Sequence, residues 1–389
     1  MPRMKATRFD APFAKIFARP FARRFARPFA RPFAVLFAMR FAVLFALLFV
    51  VVPNTAHAQK PVTAGASVPR GTVIHLRLQS GSVKLSGWPF DSVHVSGMLA
   101  PGESWAMRAD GDTMRLRADG IPRGLAAPSE LEIFVPMSSP LIVRAAAASL
   151  VVRDFDVSVD VATAAGNLLV EAVRGPVRAE TMQGTLTVLG PIPRVDASTA
   201  SGALLVSVPY DTINDVVYEQ RTTSERATPF SVVLLRSVSG RITFDSPAVD
   251  SAIIHNVRGD VRVITSPTAS GRVHVTSHVG RVIVGWTDKM RANVDALTQK
   301  GGVRGRVPVN GAPPAGAAAQ TTGNVAQSAG DAAPSSAGVD VSTLMRRTPL
   351  GVAVSYTFGR SNDTRPGPFT VRAVRGELVF ERVDVRPAP

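Results

Sequence analysis

A glycine at 166 returns at 175 and at 184, each time followed by apolar residues two and four places later: Leu168 and Val170, Val177 and Ala179, Leu186 and Val188. The register continues through Pro193 (Val195, Ala197) and Gly202 (Leu204, Val206). Alternating apolar residues bounded by glycine or proline mark a short strand closed by a tight corner. A run of such units on one period is an internal repeat, which restricts the fold more than composition does. The pattern resumes at Gly240 (Ile242, Phe244), Gly259 (Val261, Val263), Gly271 (Val273, Val275) and Gly280 (Val282, Val284).

Two nine-residue units make 18 residues, close to the 19 that separate Gly240 from Gly259. Two short strands with their corners then form one coil, and stacked coils pair strand over strand about 4.8 Å apart. The apolar pair of each unit points inward and builds a continuous column. Glycine suits the corners, where positive φ or close backbone approach is needed. The expected fold is all-β, a single-chain β-solenoid with roughly 18–20 residues per coil. An antiparallel β-sandwich with nine-residue hairpin spacing is the alternative, above all for 71–140. No segment keeps a 3.6-residue period, and DKMRANVDALTQK (288–300) is the best helix candidate.

Residues 1–58 read as an export leader: a basic tract, the apolar run FAVLFALLFVVV (41–52) and a small-residue cleavage site with Ala56 and Ala58 before Gln59. Met39 begins a shorter leader of the same design and is a candidate true start. The apolar run is shorter than the roughly 20 residues that span a bilayer, so no integral membrane segment is expected after cleavage. The leader holds ten of the 44 Lys/Arg and one of the 29 Asp/Glu, leaving 34 basic and 28 acidic residues, a net of +6. Most of the strong basicity therefore leaves with the leader, and nucleic acid is not an expected partner. The absence of cysteine excludes disulfides, thiolate metal sites and cysteine nucleophiles. Residues 59–70 read as a flexible N-terminus and 71–308 as the solenoid. Residues 309–340, rich in Ala, Gly, Pro, Ser and Thr, read as a low-complexity disordered loop. In 341–389, AVRGELVF (373–380) echoes AVRGPVRA (172–179), so this tail is expected to supply the final coil or coils.

The segments GSVKLSGWPFDSVHVSG (81–97) and LEIFVP (131–136), followed by the glycine-spaced units, resemble the putative-adhesin family of bacterial envelope proteins. The resemblance covers roughly 71–300 and the tail motif. It implies a β-solenoid and an exported location, periplasmic or on the outer cell surface, and it implies no catalytic residues.

Candidate chemistry is sparse. His75, His94 and His274 sit in alternating strands, with His255 and His278 nearby. His274 and His278 share a strand face but stand about 13 Å apart, too far to hold one ion. No metal and no cofactor is expected. Asp154, Asp156 and Asp160 in RDFDVSVD are the only carboxylates with the flavour of a polysaccharide-cleaving β-helix, where two would need to lie roughly 5–9 Å apart. No nucleophile elbow, phosphate loop or zinc-protease motif occurs. The stretch 208–232 interrupts the period, since Gly202 and Gly240 lie 38 residues apart. It holds Tyr210, Tyr218, Arg221 and Arg226, residue types favoured in contact surfaces. Trp88 and Trp286 are expected to seal the core. The expectation is an exported, non-enzymatic, adhesin-like binding or scaffold protein whose partner is an envelope polymer or protein. A polysaccharide-active enzyme and an envelope sensor or assembly partner are the alternatives.

Overall fold

The computed structural model describes residues 59–120, 128–208, 230–287, 290–307, 339–340, 344–358 and 367–383. They belong to the compact unit Ala58–Pro389 and are all-β, without an α-helix. The first strands are β1 (Lys60–Ser67), β2 (Val73–Trp88), β3 (Ser92–Leu99), β4 (Ser104–Asp110), β5 (Thr113–Asp119) and β6 (Glu130–Pro136). Pairing here is mixed. β1 runs antiparallel to β3, β3 to β6 and β4 to β5. β5 and β6 lie parallel to the first and second halves of β2. Residues 60–67, expected to be flexible, are thus a strand paired along its whole length with β3. Their period-two alternation of Val62, Ala64 and Ala66 was masked by the small size of the alanines.

From β7 (Leu141–Phe155) onward the pairing is regular. The following strands are β8 (Val159–Ala165), β9 (Leu168–Val173), β10 (Val177–Gln183), β11 (Leu186–Leu189), β12 (Arg194–Ser201), β13 (Leu204–Ser207), β14 (Phe230–Ser239), β15 (Ile242–Asp245), β16 (Val249–Arg258), β17 (Val261–Ile264), β18 (Pro267–Val279) and β19 (Val282–Trp286). They form two parallel ladders. The first runs β2–β7–β8–β10–β12–β14–β16–β18. The second runs β2–β7–β9–β11–β13–β15–β17–β19. β2 and β7 feed one half of their length into each ladder. In the most regular part partners are 18 residues apart, as in Val177 with Val195 and Leu186 with Leu204. Among the described residues of 141–286 the strand pairing is parallel, not that of an antiparallel sandwich.

The inward columns follow from this register. In the second ladder Leu150, Leu168, Leu186, Leu204, Ile242, Val261 and Val282 stack, and so do Val152, Val170, Val188, Val206, Phe244, Val263 and Val284. None of them is more than 1% exposed. Each such side chain contributes about 1.5–3 kcal/mol by its burial. No disulfide is available to substitute for this packing.

The two corners of a rung differ. At one, Gly166, Gly184, Gly202, Gly240, Gly259 and Gly280 stack in a column, all at φ between 119° and 155°. A Cβ on Gly184 would overlap the carbonyl oxygen of Gly166, and one on Gly202 that of Gly184. The same holds up the column to Gly280. Three residues before each glycine stands a buried polar residue: Thr163, Thr181, Thr199, Ser237, Asn256 and Ser277. Thr163 Oγ1 donates to the Ala165 carbonyl at 2.9 Å, Thr181 Oγ1 to that of Gln183 at 3.1 Å and Asn256 Nδ2 to that of Gly259 at 2.7 Å. These side chains add a hydrogen bond to corner carbonyls and so satisfy their own buried hydroxyl or amide groups. Gly175 belongs to the opposite corner at an ordinary φ, against the Val157 carbonyl. Gly271, expected at a corner, lies within β18 instead, where its Cβ would crowd Asp250 and Thr268.

The last strands are β20 (Ala292–Lys300), β21 (Val303–Val307), β22 (Val339–Asp340), β23 (Met345–Thr348), β24 (Gly351–Phe358), β25 (Pro368–Arg375) and β26 (Leu378–Arg382). The helix candidate 288–300 contains β20. Its Val294, Ala296 and Thr298 alternate inward, a period-two pattern in a strand held between β24 and β25. The tail is not the final rung. β25 inserts between β18 and β20, and β26 between β19 and β21. Gly376 continues the corner column on Gly280, and Gly301 follows on Gly376. Residues 292–307 therefore make the outer rung, covered on the first ladder by antiparallel β24. Most of the low-complexity segment, 309–338, lies outside the described residues, while its end, Val339–Asp340, pairs antiparallel with β21.

Two measurements check this arrangement. Gly184→Ala is expected to destabilise the protein by about 3 kcal/mol or more, because both φ and space oppose a side chain. Gly302→Ala, with nothing within 4 Å of its Cβ position, is expected to be near neutral in the same denaturant titration. Deleting 368–389 is expected to strip hydrogen-exchange protection from 292–300 as well, since among the described residues β20 reaches the ladder only through β25.

Candidate functional groove

Alternation that turns one set of side chains into the core turns the other set outward. On the outer face of the first ladder one column reads Arg144, Ala162, Glu180, Ser198, Arg236, His255, Thr276 and Arg372. Beside it runs Ile142, Asp160, Arg178, Asp196, Leu234, Ile253 and His274. Toward the glycine corner Met182, Val238 and Val257 stand out at 62%, 58% and 48% exposure. The first column from Arg144 to Thr276, together with Met182, Val238 and Val257, lines a groove of about 640 Å³ that extends from Arg144 and Ala162 to Thr276 and His278. It crosses the strands and runs along the stacking axis over six rung spacings, roughly 29 Å at about 4.8 Å each.

The groove is electrically uneven. Toward β7 and β10 the charges are closed off in pairs. Arg144 donates two hydrogen bonds to Asp160, both at 2.9 Å, and Arg178 donates to Glu180 at 3.0 and 2.8 Å. Toward β14–β18 the pairing loosens. Arg236 meets Asp196 at 3.8 Å. One rung on stands His255, its ring 6.2 Å from that of His274. His274 in turn lies 3.1 Å from the Thr276 hydroxyl. Burial, then the positive charge of His274, Arg236 and His278, holds the His255 imidazole below the ordinary histidine value. At the other end His75 is lowered too, by burial and then by Arg115, Arg144 and Arg77.

Other sequence candidates lie apart from the groove or from one another. Asp154, Asp156 and Asp160 face three different arginines: Arg153 at 3.7 Å, Arg174 at 3.0 Å and Arg144 at 2.9 Å. Among the described residues no three His, Asp or Glu side chains form a group able to hold a metal ion. Trp286 is buried, its Nε1 donating to the Arg306 carbonyl at 2.8 Å. Trp88 is half-buried between Phe134 and Phe90, and Nε1 donates to the Ser92 carbonyl at 2.6 Å. His94 joins that cluster. Tyr210, Tyr218, Arg221, Arg226, Ala56 and Ala58 lie outside the described residues. Gln59 is described and donates to the Pro128 carbonyl at 2.8 Å. β12 pairs directly with β14 and β13 with β15.

Sequence reasoning placed His274 and His278 on one strand face but missed their meeting with His255. His274 lies opposite Ile253, a 21-residue register, which makes it a diagonal neighbour of His255; the 18- and 19-residue spacings of the preceding glycines did not announce that offset.

No family model and no curated protein sequence matches the chain. Among solved structures, a putative adhesin from Parabacteroides distasonis ATCC 8503 is 9% identical, covering 83% of this chain and 97% of that chain at a TM-score of 0.33. A putative adhesin from Bacteroides fragilis NCTC 9343 is 9% identical, covering 84% and 98% at 0.32. A putative cell adhesion protein from Clostridium sporogenes ATCC 15579 is 8% identical, covering 83% and 100% at 0.19. Among the described residues no helix is long and apolar enough to cross a membrane.

Because the folded His255 and His75 resist protonation, the unfolded chain binds more protons near pH 6.5. Stability should therefore fall as pH drops through that region and not recover below it. His255→Gln is expected to leave the urea midpoint unchanged at about pH 8 and to lessen its drop at about pH 5.5. An undiminished acid drop in the variant would show that His255 contributes nothing to it.

Proposed function

We propose that the two ladders form a β-solenoid of an exported, non-enzymatic protein that holds an extended envelope polymer along its side, an adhesin-like role. The observation that carries this reading is the groove. It runs along the stacking axis from Arg144 to His278, with exposed Met182, Val238 and Val257 beside ranks of polar and charged side chains. Exposed apolar side chains gathered in a depression mark a contact surface more often than scattered ones do. Export is supported by the leader at 1–58. The non-enzymatic reading is supported by the dispersal of Asp154, Asp156 and Asp160 onto separate arginines.

Retention on insoluble envelope polysaccharide tests the reading. A Met182→Arg/Val238→Arg variant, which fills the groove from exposed positions, is expected to lose at least about tenfold in retention. Thr187→Arg/Thr243→Arg, on the outer face of the second ladder, is the control and is expected to bind as the wild type does. Equal retention by all three proteins would remove the groove from the function.

A further inference from the structure

We propose that the groove's occupant is an acidic polysaccharide: an extended glycan whose sugar faces lie over Met182, Val238 and Val257 and whose carboxylates meet Arg236, His255 and His278. This rests on the reading that the groove is a binding surface, and adds the chemistry of what it binds.

Charge complementarity is the first argument. Both ends of the groove hold arginine, but toward β7 and β10 Arg144 and Arg178 are saturated by Asp160 and Glu180 at hydrogen-bonding distance. Toward β14–β18 the lining positive and protonatable groups are Arg236, His255 and His278. Among the described residues, the carboxylate within ion-pair range of Arg236 is Asp196, at the outer limit of 3.8 Å. This end of the groove therefore sets one distant carboxylate against three positive or protonatable groups, and a ligand that supplies further carboxylates complements them.

Geometry decides between classes of polyanion. The backbone N–H and C=O groups of these strands point along the stacking axis into neighbouring rungs. The groove floor therefore offers side chains alone. An extended peptide laid there could not pair its backbone as it does on a sheet edge, and would keep its own amides dry and unsatisfied. Its same-face side chains would also recur about every 6.6–6.8 Å, out of step with rungs about 4.8 Å apart. A pyranose unit advances its chain by a length close to one rung. Its C–H face suits a methionine–valine stripe, while its carboxylate reaches sideways to the cations.

Binding should respond to pH. Facing His255 are Arg236 from β14 and His274 and His278 from β18, with Arg258 on its own strand. Arg372 lies two rungs beyond, and Glu180 three rungs away toward β10. An arriving carboxylate offsets this positive company and favours the imidazolium, so binding takes up a proton and tightens as pH falls.

The test uses the protein purified after export and three probes at constant ionic strength: polygalacturonate, the same polymer fully methyl-esterified, and poly-L-glutamate. Calorimetric titration at about pH 7.5 and 6.0 should show polygalacturonate binding at least about tenfold tighter than the other two, and several-fold tighter at the lower pH. Arg236→Gln/His255→Gln should lose at least about tenfold in affinity, and His255→Gln alone should flatten the pH response. Circular dichroism confirms that these surface variants are folded. Equal binding of the methyl ester that is still abolished by Met182→Arg/Val238→Arg would overturn the acidic inference and leave the groove reading standing. Equal binding of poly-L-glutamate would overturn the choice of a glycan. Binding of no probe, or polygalacturonate binding unchanged by the Arg236 and His255 substitutions, would overturn the proposal, while the envelope-retention comparison decides separately on the groove.

Discussion

The structure depends on one contact repeated along its length, the carbonyl of one corner glycine seated against the Cα of the next. Gly166, Gly184, Gly202, Gly240, Gly259, Gly280, Gly376 and Gly301 make one column of this contact, each occupying space that a Cβ would need. Close approach at the corner brings the strands on either side to ladder distance and in register. Register then places leucine over leucine and valine over valine inside, and a ribbon of chemically graded side chains outside. In the buried Thr, Ser and Asn column three residues earlier, Thr163, Thr181 and Asn256 donate to carbonyls at that corner.

Stacking also turns sequence distance into function. Residues one rung apart become neighbours, so 18-residue steps run Arg178 between Asp160 and Asp196, and a 21-residue register sets His274 opposite Ile253 and diagonal to His255. The outer face of the first ladder thereby changes from closely paired charge at one end to loosely paired positive character at the other. The insertion of β25 and β26 between rungs that precede them in sequence extends this logic. What identifies a rung is its corner glycine and inward pair, and Gly376 with Leu378 and Phe380 satisfies both wherever the segment falls in the chain.

The β-character, the inward pairs and most of the corner glycines were legible because they recur on a fixed period. The order of the last rungs was not, since AVRGELVF announces a rung but nothing in it says between which neighbours it docks. β1 was missed because alanine and glycine carry little pattern, and β20 was misread because MRANVDALT suits either period until its partners are known. The polar column was legible in principle, as T-A-A-G, T-M-Q-G, T-A-S-G, S-V-S-G and N-V-R-G. Of the groove, the sequence displayed the histidines of one strand but not their convergence with the next.

The absence of native cysteine makes the in-register stack directly measurable by engineered disulfides. In-register parallel partners lie within the Cα separation of about 4.4–6.8 Å that a disulfide spans, and residues two rungs apart do not. Glu180→Cys with Ser198→Cys, one rung apart, is predicted to cross-link under mild oxidation. Ala162→Cys with Ser198→Cys, two rungs apart, is predicted to stay reduced. A bond in the second pair with none in the first would contradict the stacked register on which the groove and its proposed ligand both depend.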